Sequence, residues 1–240
     1  MKKDTVTYAF WTAVLCAVIY FLNRNTVPYL IGGYDVATFG TRYFDRFTPT
    51  LLLHVILGSI AAVIGPFQFI PAIRDRYPAF HRTSGKVYLC AVAIAGIVSF
   101  DLSVNLILRS PERLGEWLQG YGVAPISNYQ FHAYGTGLVF LSVAWLSSLF
   151  IAFAAIRKGK IALHREWMRR NYIVTLGFLF YRTGLIILFK QLHLGYYDVI
   201  DMMAWGCWSV PLLINEVVQG LSRLRGPATR VPAVSTGTTG

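Results

Sequence analysis

Charged residues are scarce in this sequence. They make up 14% of the 240 residues, whereas 55% are hydrophobic and the mean hydropathy is +0.50. Soluble domains carry about 25% charged residues, so this chain has too little polar surface for a water-soluble core. Acidic residues are the scarcer kind, with 11 against 22 Lys and Arg, and most of the basic residues lie between apolar runs. That placement argues against a nucleic-acid-binding face and predicts an integral membrane protein in contact with the lipid bilayer.

Cysteines and the motifs of soluble enzymes are also lacking. Cys16, Cys90 and Cys207 lie in apolar segments without a CxxC pair, which argues against a disulfide framework or a zinc site. The sequence contains no Gly-rich phosphate loop, no HExxH and no GxSxG motif. We therefore assign no catalytic residues, because soluble-enzyme chemistry has little support in this sequence.

Six apolar stretches are long enough to cross a bilayer, at about 20 residues per helix. They run approximately over residues 6–22, 50–71, 86–108, 131–156, 171–189 and 199–219. The sequence thus predicts an all-α, polytopic membrane bundle of about six transmembrane helices, with a four-helix core made by spans two to five. Residues 1–225 are expected to form this single domain, and the Gly-, Pro-, Ser- and Thr-rich residues 226–240 a disordered cytoplasmic tail.

The distribution of Lys and Arg predicts the orientation of these spans, because cytoplasmic loops retain positive charge during insertion. With the N-terminus inside, the cytoplasmic segments hold fifteen Lys and Arg and the opposite side holds six. The fifteen are Lys2, Lys3, Arg74, Arg76, Arg82, Lys86, Arg157, Lys158, Lys160, Arg165, Arg169, Arg170, Arg223, Arg225 and Arg230. We therefore expect both termini to lie in the cytoplasm.

Four of the five histidines sort into two pairs in this topology. His54 and His132 lie near the outer ends of spans two and four, while His81 and His164 lie where spans three and five leave the cytoplasmic side. A haem iron held by two imidazoles needs histidines from facing helices at matching depth, and two haems stacked across a bilayer need this twice. The pattern predicts an outer pair and an inner pair of haem-iron ligands.

Basic and polar side chains near these histidines are candidates for completing the cofactor sites. Arg82 and Arg165 each follow a histidine directly and Arg170 lies close by, and a guanidinium suits bidentate recognition of carboxylates such as haem propionates. Arg182 lies five turns beyond the histidine of span five, on the same face of an unbroken helix, and is a candidate to hold a propionate at the outer site, with an ion pair to Asp101 as the alternative. Gln68 is a candidate ligand of a quinone or cofactor, with a helix-to-helix hydrogen bond as the alternative.

Small residues line the face of span two that carries His54. Gly58, Ala61, Ala62 and Gly65 follow this histidine at spacings of four, seven, eight and eleven residues. They predict either a groove that a flat macrocycle can fill or a surface that lets a neighbouring helix approach closely.

The histidines and arginines also have a structural interpretation. Arg and Lys at helix ends are ordinary positive-inside residues, and a histidine there can cap a helix or extend to the interface. The alternative function is therefore a non-haem accessory subunit or small transporter, whose His-Arg motifs bind lipid headgroups or a partner.

These motifs resemble those of a family of bacterial multi-pass membrane proteins that is catalogued as a domain of unknown function. The resemblance covers about residues 51–188 and rests on Leu53-His54, Gly65-Pro66-Phe67-Gln68-Phe69, His81-Arg82, Gly85-Lys86-Val87-Tyr88, Trp145, His164, Trp167-Met168, Arg170 and Arg182. It implies a multi-pass membrane location.

In layout the chain is also similar to the cytochrome b561 group, whose core helices hold two b-type haems through histidine pairs on alternating helices. By position, His54 with His132 would be the outer pair and His81 with His164 the inner pair. The similarity implies a transmembrane electron carrier with one or two haem b groups. Such a carrier would pass electrons from a quinol or a redox partner protein on one side to an acceptor on the other.

Overall fold

The computed structural model describes residues 2–27, 48–108, 128–190, 192 and 196–224, and these ranges contain eight helices. The helices are α1 (Lys2–Asn25), α2 (Thr48–Phe69), α3 (Pro71–Arg76), α4 (Pro78–Ile107), α5 (Asn128–Arg157), α6 (Ile161–Thr175), α7 (Gly177–Lys190) and α8 (Tyr196–Leu224). The predicted all-α membrane bundle is confirmed. The predicted cytoplasmic tail, residues 226–240, lies outside the described residues.

Four of these helices, α1, α2, α4 and α5, are each long and apolar enough to cross a membrane. α6 and α7 meet the same criterion as a pair, with a bend of 43° between them, and so provide a fifth span. α8 corresponds to the predicted sixth span, but it is more polar and is not among the helices that meet the criterion. Its 29 residues still extend about 43 Å by helical rise.

α8 extends along the bundle from one end to the other. In the third turn of α8, the indole nitrogen of Trp205 donates to the carbonyl oxygen of Ala133, in the first turns of α5, at 3.0 Å. Near its end, the guanidinium of Arg223 lies 3.0 Å from the carboxylate of Glu166, in the second turn of α6. α8 is therefore a full member of the bundle despite its polarity.

α1 begins and α8 ends at the same end of the bundle. The ring of Trp11 in α1 stacks on that of Phe69, the last residue of α2, with 4.7 Å between ring centroids. α4 and α6 begin at this end, which we call the basic end. Its described basic residues are Arg74, Arg76, Arg82, Lys86, Arg157, Lys158, Lys160, Arg165, Arg169, Arg170 and Arg223.

The core is the four-helix arrangement that the sequence predicts. α2 packs on α4, α4 on α5, α5 on α6, and α6 makes a smaller contact back to α2. α4 and α6 therefore lie diagonally across the core from each other. Both helices begin at the basic end and are therefore parallel. The same number of residues along either helix gives the same change in depth.

α2 and α6 approach each other closely at Gly65. The ring of Tyr172 occupies the position that a side chain at Gly65 would need. The Tyr172 hydroxyl donates to the carbonyl oxygen of Ala62 at 2.9 Å. This part of the small-residue face of α2 is thus a contact surface and not an open groove, whereas Gly58 has free space around it.

The expected boundaries of two spans are wrong. Span three begins at Pro78 and not at residue 86, since a proline at the first helical position is well suited to start a helix. Span five begins at Ile161 and breaks at Leu176, where an unbroken helix over 171–189 was expected. The hydroxyl of Thr175 accounts for this break in part, because it donates to the carbonyl oxygen of Asn171 at 2.9 Å, a contact that bends helices.

Candidate functional site

A network of buried hydrogen bonds links α4, α5 and α6 in the middle of the bundle. The hydroxyl of Tyr88 donates to Oδ1 of Asn171 at 2.7 Å and lies 2.9 Å from the hydroxyl of Thr175. Nδ2 of Asn171 donates to the carbonyl oxygen of Trp145 at 2.8 Å and to the hydroxyl of Ser148 at 2.9 Å. Tyr88 and Asn171 are completely buried. In apolar surroundings an unpaired polar group is costly, so this network fixes the three helices against one another.

The bond between Tyr88 and Asn171 sets the register of α4 against α6. His81 and His164 precede these two residues by seven positions each, which is two helical turns in nearly the same direction. Because α4 and α6 are parallel, both histidines lie about 10.5 Å nearer the basic end, on the faces that meet across the core. His81 and His164 are also close enough to interact electrostatically. The structure thus puts the predicted inner pair at one depth of the core.

The two rings of this inner pair have different surroundings. Nδ1 of His164 lies 2.9 Å from the carbonyl oxygen of Ala152 in α5. A carbonyl can only accept, so Nδ1 carries the proton and the lone pair of Nε2 is left to bind a ligand. Nδ1 of His81 is buried without a hydrogen-bond partner. Buried ring nitrogens normally have a hydrogen-bond partner, so the unpaired Nδ1 of His81 is unusual. A group bound at this position would provide the missing partner.

The predicted outer pair is not brought together. Nδ1 of His54 donates to the carbonyl oxygen of Ala95 at 3.0 Å, and its ring meets that of Trp145 edge-on, with 6.2 Å between centroids. Trp145 lies thirteen residues from His132 along α5, which is about 20 Å by helical rise. His54 and His132 are therefore too far apart in depth to bind opposite sides of one iron atom.

The three arginines predicted to hold inner propionates differ in whether their guanidinium groups already bind a carboxylate of the protein. Nε and Nη2 of Arg170 each donate to the carboxylate of Glu216 in α8 at 2.7 Å. That guanidinium is committed to holding α8 against α6. Arg82 and Arg165 are exposed at the basic end and lie within electrostatic range of His81. They remain candidates to bind an anionic group at the inner pair.

Gln68 bonds to a neighbouring helix, and Arg182 lies beyond the bend in the fifth span. Nε2 of Gln68 donates to the hydroxyl of Ser84 in α4 at 2.8 Å, which is the helix-to-helix hydrogen bond considered as its alternative role. Arg182 lies in α7, beyond the 43° bend. It therefore does not continue the face of α6 that carries His164, as an unbroken helix would require.

The ion pair of Arg170 with Glu216 gives a testable prediction. Arg170→Met and Glu216→Gln are expected to be non-additive by about 1 kcal/mol in the free energy of unfolding, because the Glu216 side chain is 46% exposed and the pair stays partly hydrated. Unfolding of the single and double variants by SDS in mixed micelles measures this coupling. Arg169→Met, at an exposed arginine one position earlier, should be additive with Glu216→Gln. Additivity in the Arg170 cycle would contradict the assigned contact.

Sequence reasoning missed Asn171 and Thr175. Both are polar residues one turn apart inside an apolar span, and a polar group at such a position is a candidate for function. Tyr88 belongs to the Gly85-Lys86-Val87-Tyr88 motif but had received no role. The sequence did contain one signal for this network. Tyr88 follows His81 by seven residues, and Asn171 follows His164 by the same interval.

Comparison with known proteins places the chain in a family. The model of a family described as predicted membrane protein (DUF2306) matches residues 51–219, which include the four core helices, both inner histidines and the buried network. No curated protein and no solved structure matches the chain. The match covers more than two thirds of the sequence, and the chain belongs to the DUF2306 family of predicted membrane proteins.

Proposed function

We propose that this chain is a membrane electron-transfer protein that binds one b-type haem through His81 and His164, at the basic end of its four-helix core. The observation that supports the proposal is the hydrogen bond between Tyr88 and Asn171, because it sets α4 and α6 in a register in which His81 and His164 have the same depth. The donor set fits the group. Two imidazoles from facing helices, one of them oriented by a backbone carbonyl, suit a bis-histidine site.

The surrounding residues have distinct roles in this proposal. His81 and His164 would hold the haem, which would supply one-electron transfer. The carbonyl of Ala152 holds the ring of His164 in the tautomer that leaves Nε2 free to bind. Arg165 offers its guanidinium group to carboxylates at the basic end. The layer formed by Tyr88 and Asn171 closes the site toward the middle of the membrane and helps to exclude water.

The proposal contains one haem and not two, since His54 and His132 lie at different depths. Electron exchange is therefore proposed at the basic end, which the positive-inside pattern assigns to the cytoplasm. A quinol dissolved in the bilayer or a soluble reductant is the proposed donor. A redox partner protein on the same side of the membrane is the proposed acceptor.

Difference spectra of histidine variants test this assignment. Reduced-minus-oxidised absorbance of detergent-purified wild type is expected to show the bands of a bis-imidazole b haem. His81→Ala and His164→Ala should each abolish these bands. His132→Ala is the matched control, because His132 lies near the start of α5, away from the basic end. This variant should retain the bands. Circular dichroism shows whether each variant is folded, and a folded His164→Ala variant with an unchanged spectrum would overturn the proposal.

A second candidate function is a non-haem accessory subunit or small transporter that binds anionic groups at the basic end. The cations within electrostatic range of His81, namely Arg74, Arg82 and Arg165, favour it. A folded but colourless wild type whose binding of an anionic partner depends on these arginines would support this alternative and exclude the haem.

A further inference from the structure

A shallow groove lies between α2 and α4 on the outer surface of the bundle. Its volume is about 310 Å³, and its walls are apolar, formed by Leu57 of α2 and by Val87, Cys90, Ala91 and Ile94 of α4. Val87 and Ile94 are each 46% exposed, so the groove opens toward the surrounding lipid. It is separate from the inner histidine pair, which lies on the core side of α4.

The end of the groove near the basic end is cationic. Lys86 forms part of its lining, and Arg82 lies one turn earlier on the same face of α4. Both side chains are exposed, and neither forms an ion pair within the described part of the chain. Their charges are therefore available to an anionic group at the membrane interface.

The groove is long enough to hold part of one extended hydrocarbon chain. Lys86 and Ile94 are eight residues apart, which gives the groove a length of about 12 Å along α4. It leads from the cationic end toward the middle of the membrane, the direction that an acyl chain takes from its headgroup. The apolar stem of a lysine can line such a groove while its ammonium group reaches the headgroup level.

We propose that this groove binds one anionic glycerophospholipid, with an acyl chain along Leu57, Val87 and Ile94 and its phosphate held by Lys86 and Arg82. A zwitterionic lipid can fill the apolar groove but has no net charge to match the two cations. Each basic residue near an anionic headgroup contributes about a fivefold change in affinity. The site is thus selective for headgroup charge and not for the hydrocarbon alone.

Native mass spectrometry of the full chain with an equimolar mixture of phosphatidylglycerol and phosphatidylcholine tests the site. Wild type is expected to retain one phosphatidylglycerol in preference to phosphatidylcholine. Lys86→Gln and Arg82→Gln should each lower this preference about fivefold. Lys158→Gln, at an exposed basic residue of the same end but outside the groove lining, should leave the preference unchanged.

Blocking the groove tests the position of the acyl chain. Cys90→Phe is expected to lower retention of both lipids, whereas Ile186→Phe, at an exposed position on α7, should not. A labelling experiment tests the same position with the groove residues unchanged. In a Cys16→Ser background, bound phosphatidylglycerol should slow the reaction of Cys90 with maleimide more than phosphatidylcholine does. Equal retention of the two lipids, equal effects of Lys86→Gln and Lys158→Gln, or displacement of the lipid by millimolar inorganic phosphate would each overturn the proposal.

Discussion

Asn171→Leu is expected to lower the free energy of unfolding by about 3 kcal/mol. The side chain of Asn171 is completely buried and makes three hydrogen bonds, to Tyr88, Trp145 and Ser148. Leucine has a similar size but leaves these partners with fewer bonds in an apolar interior, where each unpaired group costs about 1 kcal/mol or more. Unfolding by SDS in mixed micelles measures the change.

Asn105→Leu is the matched control for this variant. The side chain of Asn105 bonds to Asp101 within the same helix, at 2.9 and 3.1 Å, and so does not join one helix to another. We expect this change to cost less than 1 kcal/mol, because it breaks only local, partly exposed bonds. Haem content should also fall in Asn171→Leu and not in Asn105→Leu, since only the first removes the register contact. Equal destabilisation by the two changes would contradict the role of the network.

Gly65→Ala is expected to destabilise the protein by about 2 kcal/mol, whereas Gly58→Ala should stabilise it by about 0.5–1 kcal/mol. Both glycines lie inside α2, where alanine is normally the better helix former. A methyl group at Gly65 would collide with the ring of Tyr172, while nothing lies within 4 Å of a methyl at Gly58. Unfolding of the two variants under one condition gives the sign of each change.

Tyr172 cannot easily withdraw from an added methyl group, because its hydroxyl is bonded to the carbonyl oxygen of Ala62. Shortening the ring should therefore rescue the substituted chain. Tyr172→Leu combined with Gly65→Ala is expected to be more stable than the sum of the two single changes predicts. Additive losses, or stabilisation by both alanine substitutions alike, would show that α2 and α6 do not pack at this position.

The bundle itself could be predicted from the sequence, because length and apolarity alone decide whether a segment crosses a bilayer. α5 was expected over residues 131–156 and extends over Asn128–Arg157. The break between α6 and α7 could not be predicted in this way. It depends in part on the contact of Thr175 with the backbone of Asn171, and neither residue departs from an otherwise apolar pattern strongly enough to mark a helix end.

The inner and outer histidine pairs show where depth can be inferred from sequence. Counting residues from helix ends gives relative depth only if neighbouring helices end at the same level. α4 and α6 both begin at the basic end, so the count puts His81 opposite His164. α5 projects beyond α2 at the other end, and His54 consequently lies level with Trp145 and not with His132. The displacement of one helix along another is set by tertiary packing, which the hydropathy of a single chain does not contain.

Contacts between side chains that are far apart in the sequence could not be predicted either. Arg170 was a candidate propionate ligand because it lies near His164. Its carboxylate partner is instead Glu216, 46 residues later in α8. Gln68 similarly bonds to Ser84 on the facing helix. Only the folded chain determines whether a basic or amide side chain near a helix end has an acceptor, and which acceptor it is.

Haem content per chain in purified wild-type protein tests the central claim most directly. The protein should be purified from cells supplied with haem precursor, and its haem quantified against protein by extraction and reduced absorbance. The facing pair of His81 and His164 predicts one bis-imidazole b haem per chain. Two haems per chain would contradict the separation of His54 from His132, and a folded protein without haem would contradict the assignment of the inner pair.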